Sequence, residues 1–374
     1  MKFDVSSTTL LSRLQSISRV IASKNSLPIL DCMLFELKED KLTITASDVD
    51  TRMVTSVDVL NAEGSGLFAV AAKILLDPLK ELPEQPLNFE INDDTLEILI
   101  HFENGKYNFI GQKGDTYPQQ KPLNDTNVSA SIGAQRLLNG VSRSLFATAD
   151  DELRPVMNGI YFDIQQESLT IVASDGHKLV RLRNLSVHSP ERASFILPKK
   201  PANILRSVLA KDTEEVKIKF DENNAYISGS NFEMVCRLIE GRYPNYNNVI
   251  PQENPYKVTI DRISLLNALK RVSVFSNASS SLVKLHVTEG ALIVSAQDID
   301  YSTSAEEKIV CDFNGTELKI GFKATFLIEI LGNIASEHVV LELADPSRAG
   351  LIIPAENEEN EELLMLLMPM MLND

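Results

Sequence analysis

The chain has 374 residues, 44% of them apolar, and a formal net charge of −16. That length exceeds what one hydrophobic core usually organises, so two or three folded domains are expected, and the acidity taken as a whole disfavours polyanions as partners. Three widely spaced cysteines, Cys32, Cys236 and Cys311, lack CxxC spacing and exclude a disulfide framework and a zinc site; the apolar close from Leu363 to Leu372 falls short of the ~20 residues of a membrane span; and the opening MKFDVSSTTLL lacks the features of a secretory signal, so a cytoplasmic location without a membrane partner is expected.

Taken in order, the predicted elements repeat. A strand, MKFDV, leads into an amphipathic helix carrying LLSRLQSIS from Leu10; an apolar run, LTITASD, closes on Asp48; a second strand feeds the helix VAAKILLDPLKEL with Lys73 near its start. A proline-bearing linker, GDTYPQQKPLND, follows with Pro118. The pattern then returns as LLNGVSRSL from Leu137, LTIVASD to Asp175, LPKKPANILRSVL with Lys200, and the linker EGRYPNYNNVIPQENP with Pro244. It returns again as LLNALKRVS from Leu265, LIVSAQD to Asp298 and GFKATFLIEIL with Lys323, and the tail LLMLLMPMMLND puts Pro369 at the linker position. The register is roughly 125 residues, and each copy holds a weaker strand-helix half-repeat.

Strands outnumber helices and are joined mostly by hairpin-length acidic turns, as in LKEDKLTI and NNAYISG. The expected class is therefore α+β with antiparallel sheets rather than a doubly wound sheet. Extended proline linkers place the domains at 1–124, 125–252 and 253–374.

Both helix families are locally basic: Arg13 and Arg19, Arg136 and Arg143, then Arg262, Lys270 and Arg271 on the first helices, with Lys73, Lys199, Lys200 and Lys323 opening the second. A lysine at a helix start opposes the macrodipole by a few tenths of a kcal/mol, so its recurrence in every copy points to an anionic partner. Without an aromatic platform, binding would follow backbone charge, independent of base sequence and steeply dependent on salt. The pairs Asp48/Asp50 and Asp298/Asp300 admit a metal-enzyme reading. Against it, the five histidines are scattered, no Ser/His/Asp set or phosphate-binding glycine loop occurs, and the first aspartate belongs to the repeat. No catalytic residue, metal or cofactor is expected.

Several separated motifs agree in order and spacing: SDGHKL at 174–179, GRYPNYNNVIP at 241–251 and the terminal MPM, together with MKFDV and LPIL. Over its whole length the chain thus resembles the bacterial DNA polymerase sliding clamp, the beta subunit. The resemblance implies a DNA clamp fold of three similar domains, a head-to-tail homodimer closed into a six-domain ring, and helices lining a hole around duplex DNA. It implies a tether rather than a catalyst, whose partners are the replicative polymerase catalytic subunit, an ATP-dependent clamp loader, and replication and repair proteins bearing clamp-binding peptides.

Matching positions suggest Lys24, Lys199 and Lys200 as DNA contacts, with Arg13, Lys73, Arg136 and Lys323 as further candidates; the loop TADDELR is acidic where the family is polar, so Asp150 and Asp151 are left out. The partner-peptide cleft would have one wall of Met157, Ser174, Gly176, His177, Lys178 and Leu179 with Pro244, Asn248 and Val249. The other would be Ser347, Leu366, Met368, Pro369, Met370 and Met371. Asn248 and Met371 stand where family members often carry arginine. Only the middle copy has Asp-Gly-His after its strand, a break in the repeat that favours a role there. Lys106 and Tyr107 would meet Val274, Phe275, Asp298 and Asp300 at the dimer contact, with Glu306 and Glu307 as further acidic residues there. A repeat scaffold that binds peptides without DNA is the alternative, but it would not need the recurrent helix lysines.

Overall fold

The computed structural model describes residues 1–119, 128–187, 189 and 191–372. The expected boundary between 124 and 125 lies outside the described residues; that between 252 and 253 falls between the single turn Tyr246–Val249 and the strand Tyr256–Asp261. Among the described residues there are six α-helices: α1 (Ser7–Ser18), α2 (Ala72–Glu81), α3 (Ala134–Leu145), α4 (Lys199–Leu209), α5 (Arg262–Val272) and α6 (Ala324–Gly332). None is long and apolar enough to cross a membrane.

Local chemistry sets the helix starts. The Ser6 hydroxyl accepts from the Thr9 N–H at α1, and Asp261 accepts from the Ser264 N–H at α5, each satisfying an amide that the first turn leaves without a partner. α1 buries Leu10, Leu14 and Ile17 at helical spacing, and α5 buries Leu265, Leu266, Leu269 and Val272.

The chain forms two compact units, Met1–Leu138 with Lys200–Leu238, and Asn139–Lys199 with Ile239–Asp374. The first holds a five-stranded sheet that ends on the strand Gly105–Ile110, and a nine-stranded sheet. The second holds a twelve-stranded sheet. Every strand pairing is antiparallel, as the short acidic turns require.

These units do not follow the sequence copies, because the sheets run through them. In the first unit Thr51–Asp58 of copy one pairs with Glu233–Arg237 of copy two. In the second, Lys178–Asn184 of copy two pairs along all seven residues with Glu361–Leu367 of copy three. The two halves of the middle copy thus belong to different units, a consequence of the half-repeat: each half completes a neighbour's sheet.

The turn aspartate does the same work in each copy. Asp48 Oδ1 accepts from the Asp50 and Thr51 amides at 2.8 and 2.6 Å, Asp175 Oδ1 from His177 and Lys178 at 2.8 and 2.9 Å, and Asp298 Oδ1 from Asp300 and Tyr301 at 3.0 and 3.3 Å. A side chain that caps its own hairpin in this way explains why the aspartate recurs, without any metal.

Candidate peptide cleft and basic helices

The strand period of two decides which residues face the cleft. On Ser168–Ser174, Val172 points to one side of the sheet and Ala173 to the other; on Lys178–Asn184, Leu179 lies on the side of Val172, and Val180 and Leu182 lie opposite. On Glu361–Leu367, Leu364 and Leu366 share the face of Leu179, whereas Leu363, Met365 and Leu367 enter the helix-covered core. Val172, Leu179, Ile196, Tyr243, Ile250, Ala349, Leu351 and Leu366 form one apolar cluster on this face. Tyr161 stacks on Tyr243 at 4.7 Å between centroids, and the Tyr246 hydroxyl donates to Asp163 at 3.1 Å. Burial, reinforced by the Asp163 carboxylate, pushes the Tyr246 phenol up to about 12.

Beside this cluster opens a groove of about 560 Å³, lined by Asn248, Val249, Ile250, Arg348, Ala349 and Met368 among others. Val249 is 56% exposed and Met368 41%, so the walls are apolar and open. Of the residues expected from sequence, Asn248, Val249 and Met368 line the groove, and Leu179 and Leu366 are buried in the adjoining apolar cluster, which shares Ile250 and Ala349 with it. Pro244 is exposed beside Tyr243, and Ser347 is exposed in a turn where its hydroxyl donates to Asp345 at 2.5 Å.

The tail is fixed by its backbone. The Met368 N–H donates to the His177 carbonyl and the Met370 N–H to the Gly321 carbonyl, both at 2.8 Å, which holds Pro369 and Met370 half-buried and leaves Met371 79% exposed. Gly176 takes φ +92° in the turn, a conformation that favours glycine, and His177 is exposed. Ser174 is buried, its hydroxyl donating to the Lys178 carbonyl at 2.9 Å.

One residue of the expected wall faces elsewhere, and another is buried. Lys178 lies on the helix side of the sheet, its ammonium 3.2 Å from Asp175, 3.1 Å from Glu329 and 4.0 Å above the Phe326 ring, because it alternates with Leu179 along the strand. Met157 is buried, and it is its neighbour Val156 that packs on the cleft cluster. The acidic run before the tail is held well away: Arg143 pairs with Glu358 and, at 3.1 Å, with Glu361, at the far end of the seven-residue strand from Met368, roughly 20 Å off.

Sequence reading passed over Val172, Ile196, Tyr243, Ile250, Ala349, Leu351 and Arg348. A signal for the strand residues existed in the repeat. The position of Val172 carries Thr45 in copy one and Ser295 in copy three, and that of Leu179 carries Arg52 and Ser304, so the outer face is apolar in the middle copy alone.

The basic residues of the helices divide into paired and unpaired. Arg262 donates to the Ser336 and Leu331 carbonyls at 2.8 and 3.2 Å, and Arg271 grips Glu307 with two bonds of 2.8 and 2.7 Å. Lys199 pairs with Asp150 at 2.6 Å, while Lys200 pairs with Asp48 and donates to the Val20 carbonyl at 2.8 Å. Lys323 precedes α6 at its N-cap position, its ammonium 4.7 Å from the Phe326 ring centroid. Lys24 and Lys73 are exposed, and Arg13 and Arg136 are half-buried.

Of the expected dimer residues, Lys106 is exposed and Tyr107 half-buried on the edge strand Gly105–Ile110, the Tyr107 ring 4.7 Å from Phe102. Val274 and Phe275 are 78% and 40% exposed. Asp300 is exposed, whereas Asp298 is buried and engaged with its own turn. Near them Thr303–Asp312 pairs with Tyr256–Asp261 only through Cys311 and Asp312, so Thr303 to Val310 forms a second unpaired edge.

Sequence patterns of the N-terminal, central and C-terminal domains of the DNA polymerase III beta subunit match residues 1–121, 131–245 and 247–370. The chain is similar to the beta sliding clamp of Pseudomonas aeruginosa, 26% identical with 98% of this chain and 99% of that protein covered, and to that of Haemophilus influenzae, 26% identical over the full length of both. Among solved structures, the Pseudomonas aeruginosa sliding clamp bound to griselimycin superposes with a TM-score of 0.94 at 26% identity, covering both chains completely. With its three consecutive domains matched and its antiparallel architecture shared throughout, the chain belongs to the beta-subunit family of bacterial DNA polymerase III, the sliding clamps, which are non-catalytic processivity factors.

Proposed function

We propose that two copies of this chain close head to tail into a ring around duplex DNA in the cytoplasm and hold the replicative polymerase through a short apolar peptide seated in the cleft. The observation that carries this reading is the cleft itself: the face bearing Val172 and Leu179 is apolar in one copy of three, and an open groove walled by Val249 and Met368 adjoins it. Repair proteins with similar peptides and an ATP-dependent loader use the same face in turn. Arg348, which lines the groove, supplies the charge that Asn248 and Met371 do not.

Ring closure pairs the unpaired edge Gly105–Ile110 of one protomer with the unpaired edge of Thr303–Asp312 of its partner, with Lys106 and Tyr107 set against Val274, Phe275 and Asp300. In this reading each protomer contributes three domains to the ring, 1–124, 125–252 and 253–374. Enclosure lets weak phosphate attraction suffice, with Lys24, Lys73, Arg13, Arg136 and Lys323 facing the duplex and Lys199 and Lys200 reaching it by exchanging their carboxylates. Retention on nicked circular duplex, compared with linear duplex after loading, tests the ring: long residence on the circle with loss from free ends supports it, and equal retention on both would refute it.

A further inference from the structure

Five basic side chains of the helices, Arg143, Arg262, Arg271, Lys199 and Lys200, are spent on this protein's own acids or carbonyls. One place differs. In the first unit a groove of about 560 Å³ runs between α1 and the end of α4, and Arg13, Arg19 and Lys211 line it. Among the described residues, these three side chains make no ion pair or hydrogen bond.

The helices build this groove by their spacing. Ser12 and Ser16 are four apart on one face of α1 and Arg19 follows at its C-cap, while Ser207 is on α4 and Lys211 lies two residues past its end; all five line the groove. Serines stand on both walls of the groove. Its one carboxylate, Asp212, is buried and already accepts the Ser230 and Glu214 amides at 3.0 and 3.1 Å, which help hold its pKa below the usual carboxylate value although burial opposes them. The charge facing solvent is therefore positive here, whereas at the start of α4 each lysine faces a carboxylate.

We propose that this groove is the principal seat of a DNA phosphodiester in the first unit, with Arg19 and Lys211 as contacts and Arg13 beside them, ahead of Lys199 and Lys200. The proposal rests on the reading of the chain as a clamp on duplex DNA. A phosphate entering the groove releases counter-ions without displacing a carboxylate, and a phosphate reaching Lys199 or Lys200 must first displace Asp150 or Asp48.

The test is the salt dependence of affinity for a fluorescent linear duplex, measured by anisotropy on the full chain across a potassium chloride titration. The double variant Arg19→Gln with Lys211→Gln should flatten the slope of log affinity against log salt by about 1.8, two phosphate contacts at ~0.9 each. Lys199→Gln with Lys200→Gln should flatten it by less. Binding of an apolar peptide at the cleft and an unchanged thermal melt report that the variants remain folded. A larger effect from the α4 pair, or a parent slope retained by the groove variant, overturns the assignment, the latter being the result if the groove serves an acidic protein segment instead. Equal retention of the loaded parent chain on nicked circular and on linear duplex overturns the clamp reading and the groove with it.

Discussion

Replacing Val249 and Met368 by serine strips the apolar walls of the cleft with little cost to the fold, since 56% and 41% of these residues already face solvent. Substitutions at such exposed positions usually stay within about 0.5 kcal/mol. Serine is preferred to aspartate because Arg348 lines the same groove, and a carboxylate there would gain an ion pair that complicates the outcome. A partner leucine or phenylalanine buried between these walls gains about 1.5–3 kcal/mol from leaving water. With hydroxyls on both sides much of that gain disappears, and at about 1.4 kcal/mol per tenfold the affinity should fall roughly ten- to hundredfold. The assay is anisotropy of a labelled peptide bearing leucine and phenylalanine, with a thermal melt run on the same variant. An unchanged melt together with affinity within about twofold of the parent would refute the placement of the peptide, because no other term in the argument supplies the lost contact.

Removing residues 368–374 should abolish peptide binding and polymerase stimulation while sedimentation still reports a dimer; surviving peptide affinity would remove the tail from the cleft. Gly321→Ala would put a Cβ 2.7 Å from the Met370 carbonyl oxygen and 2.8 Å from Leu372 Cδ2, so it should push the tail off its bridge, with a cost of about 1–3 kcal/mol in a melt and weaker peptide binding. At α5 the Ser264 side chain and N–H hold the Asp261 carboxyl below its ordinary value of 3.8, so its contribution is fully present above that pH and is lost as the pH falls through the lower folded value. Asp261→Ala should therefore cost about 1 kcal/mol in urea melts at neutral pH, a difference that narrows in acid; a constant difference would show that the charge is irrelevant to the cap.

What could be read beforehand was what is local. Strand-helix spacing, the recurring turn aspartate and the linker prolines are encoded within a few residues, and the antiparallel α+β class followed from them. The pairing of Lys178–Asn184 with Glu361–Leu367 joins segments far apart in sequence, and nothing local announces its register. The bonds that seat Met368 on His177 and Met370 on Gly321 depend on that register and were equally hidden. The same holds for charge: helical recurrence made Arg143 and Lys200 look available, whereas Glu358 and Asp48, distant along the chain, engage them. Lys178 is a different case. A contiguous motif grouped it with Leu179, although strand alternation alone would have sent the two side chains to opposite faces.

Divergence between the copies is the more informative record. At the first linker Arg52 stands where the second has Leu179, and its guanidinium donates to the Pro118 carbonyl at 3.0 Å, with burial drawing its pKa down. Tyr117, the counterpart of Tyr243, is buried there with its hydroxyl donating to the Cys32 carbonyl at 3.3 Å. That side of the strand is thus used to hold the chain's own linker. With leucine at the same position the strand offers its linker an apolar side chain, packed in one cluster with Tyr243 and Ile250, and the neighbouring Val249 and Met368 stand exposed. One backbone, repeated, carries an internal polar fastening at Arg52 and an apolar surface at Leu179, according to the side chain on the outer face of a single strand. That is why the proposed peptide site falls at one junction of the repeat and not at its twin.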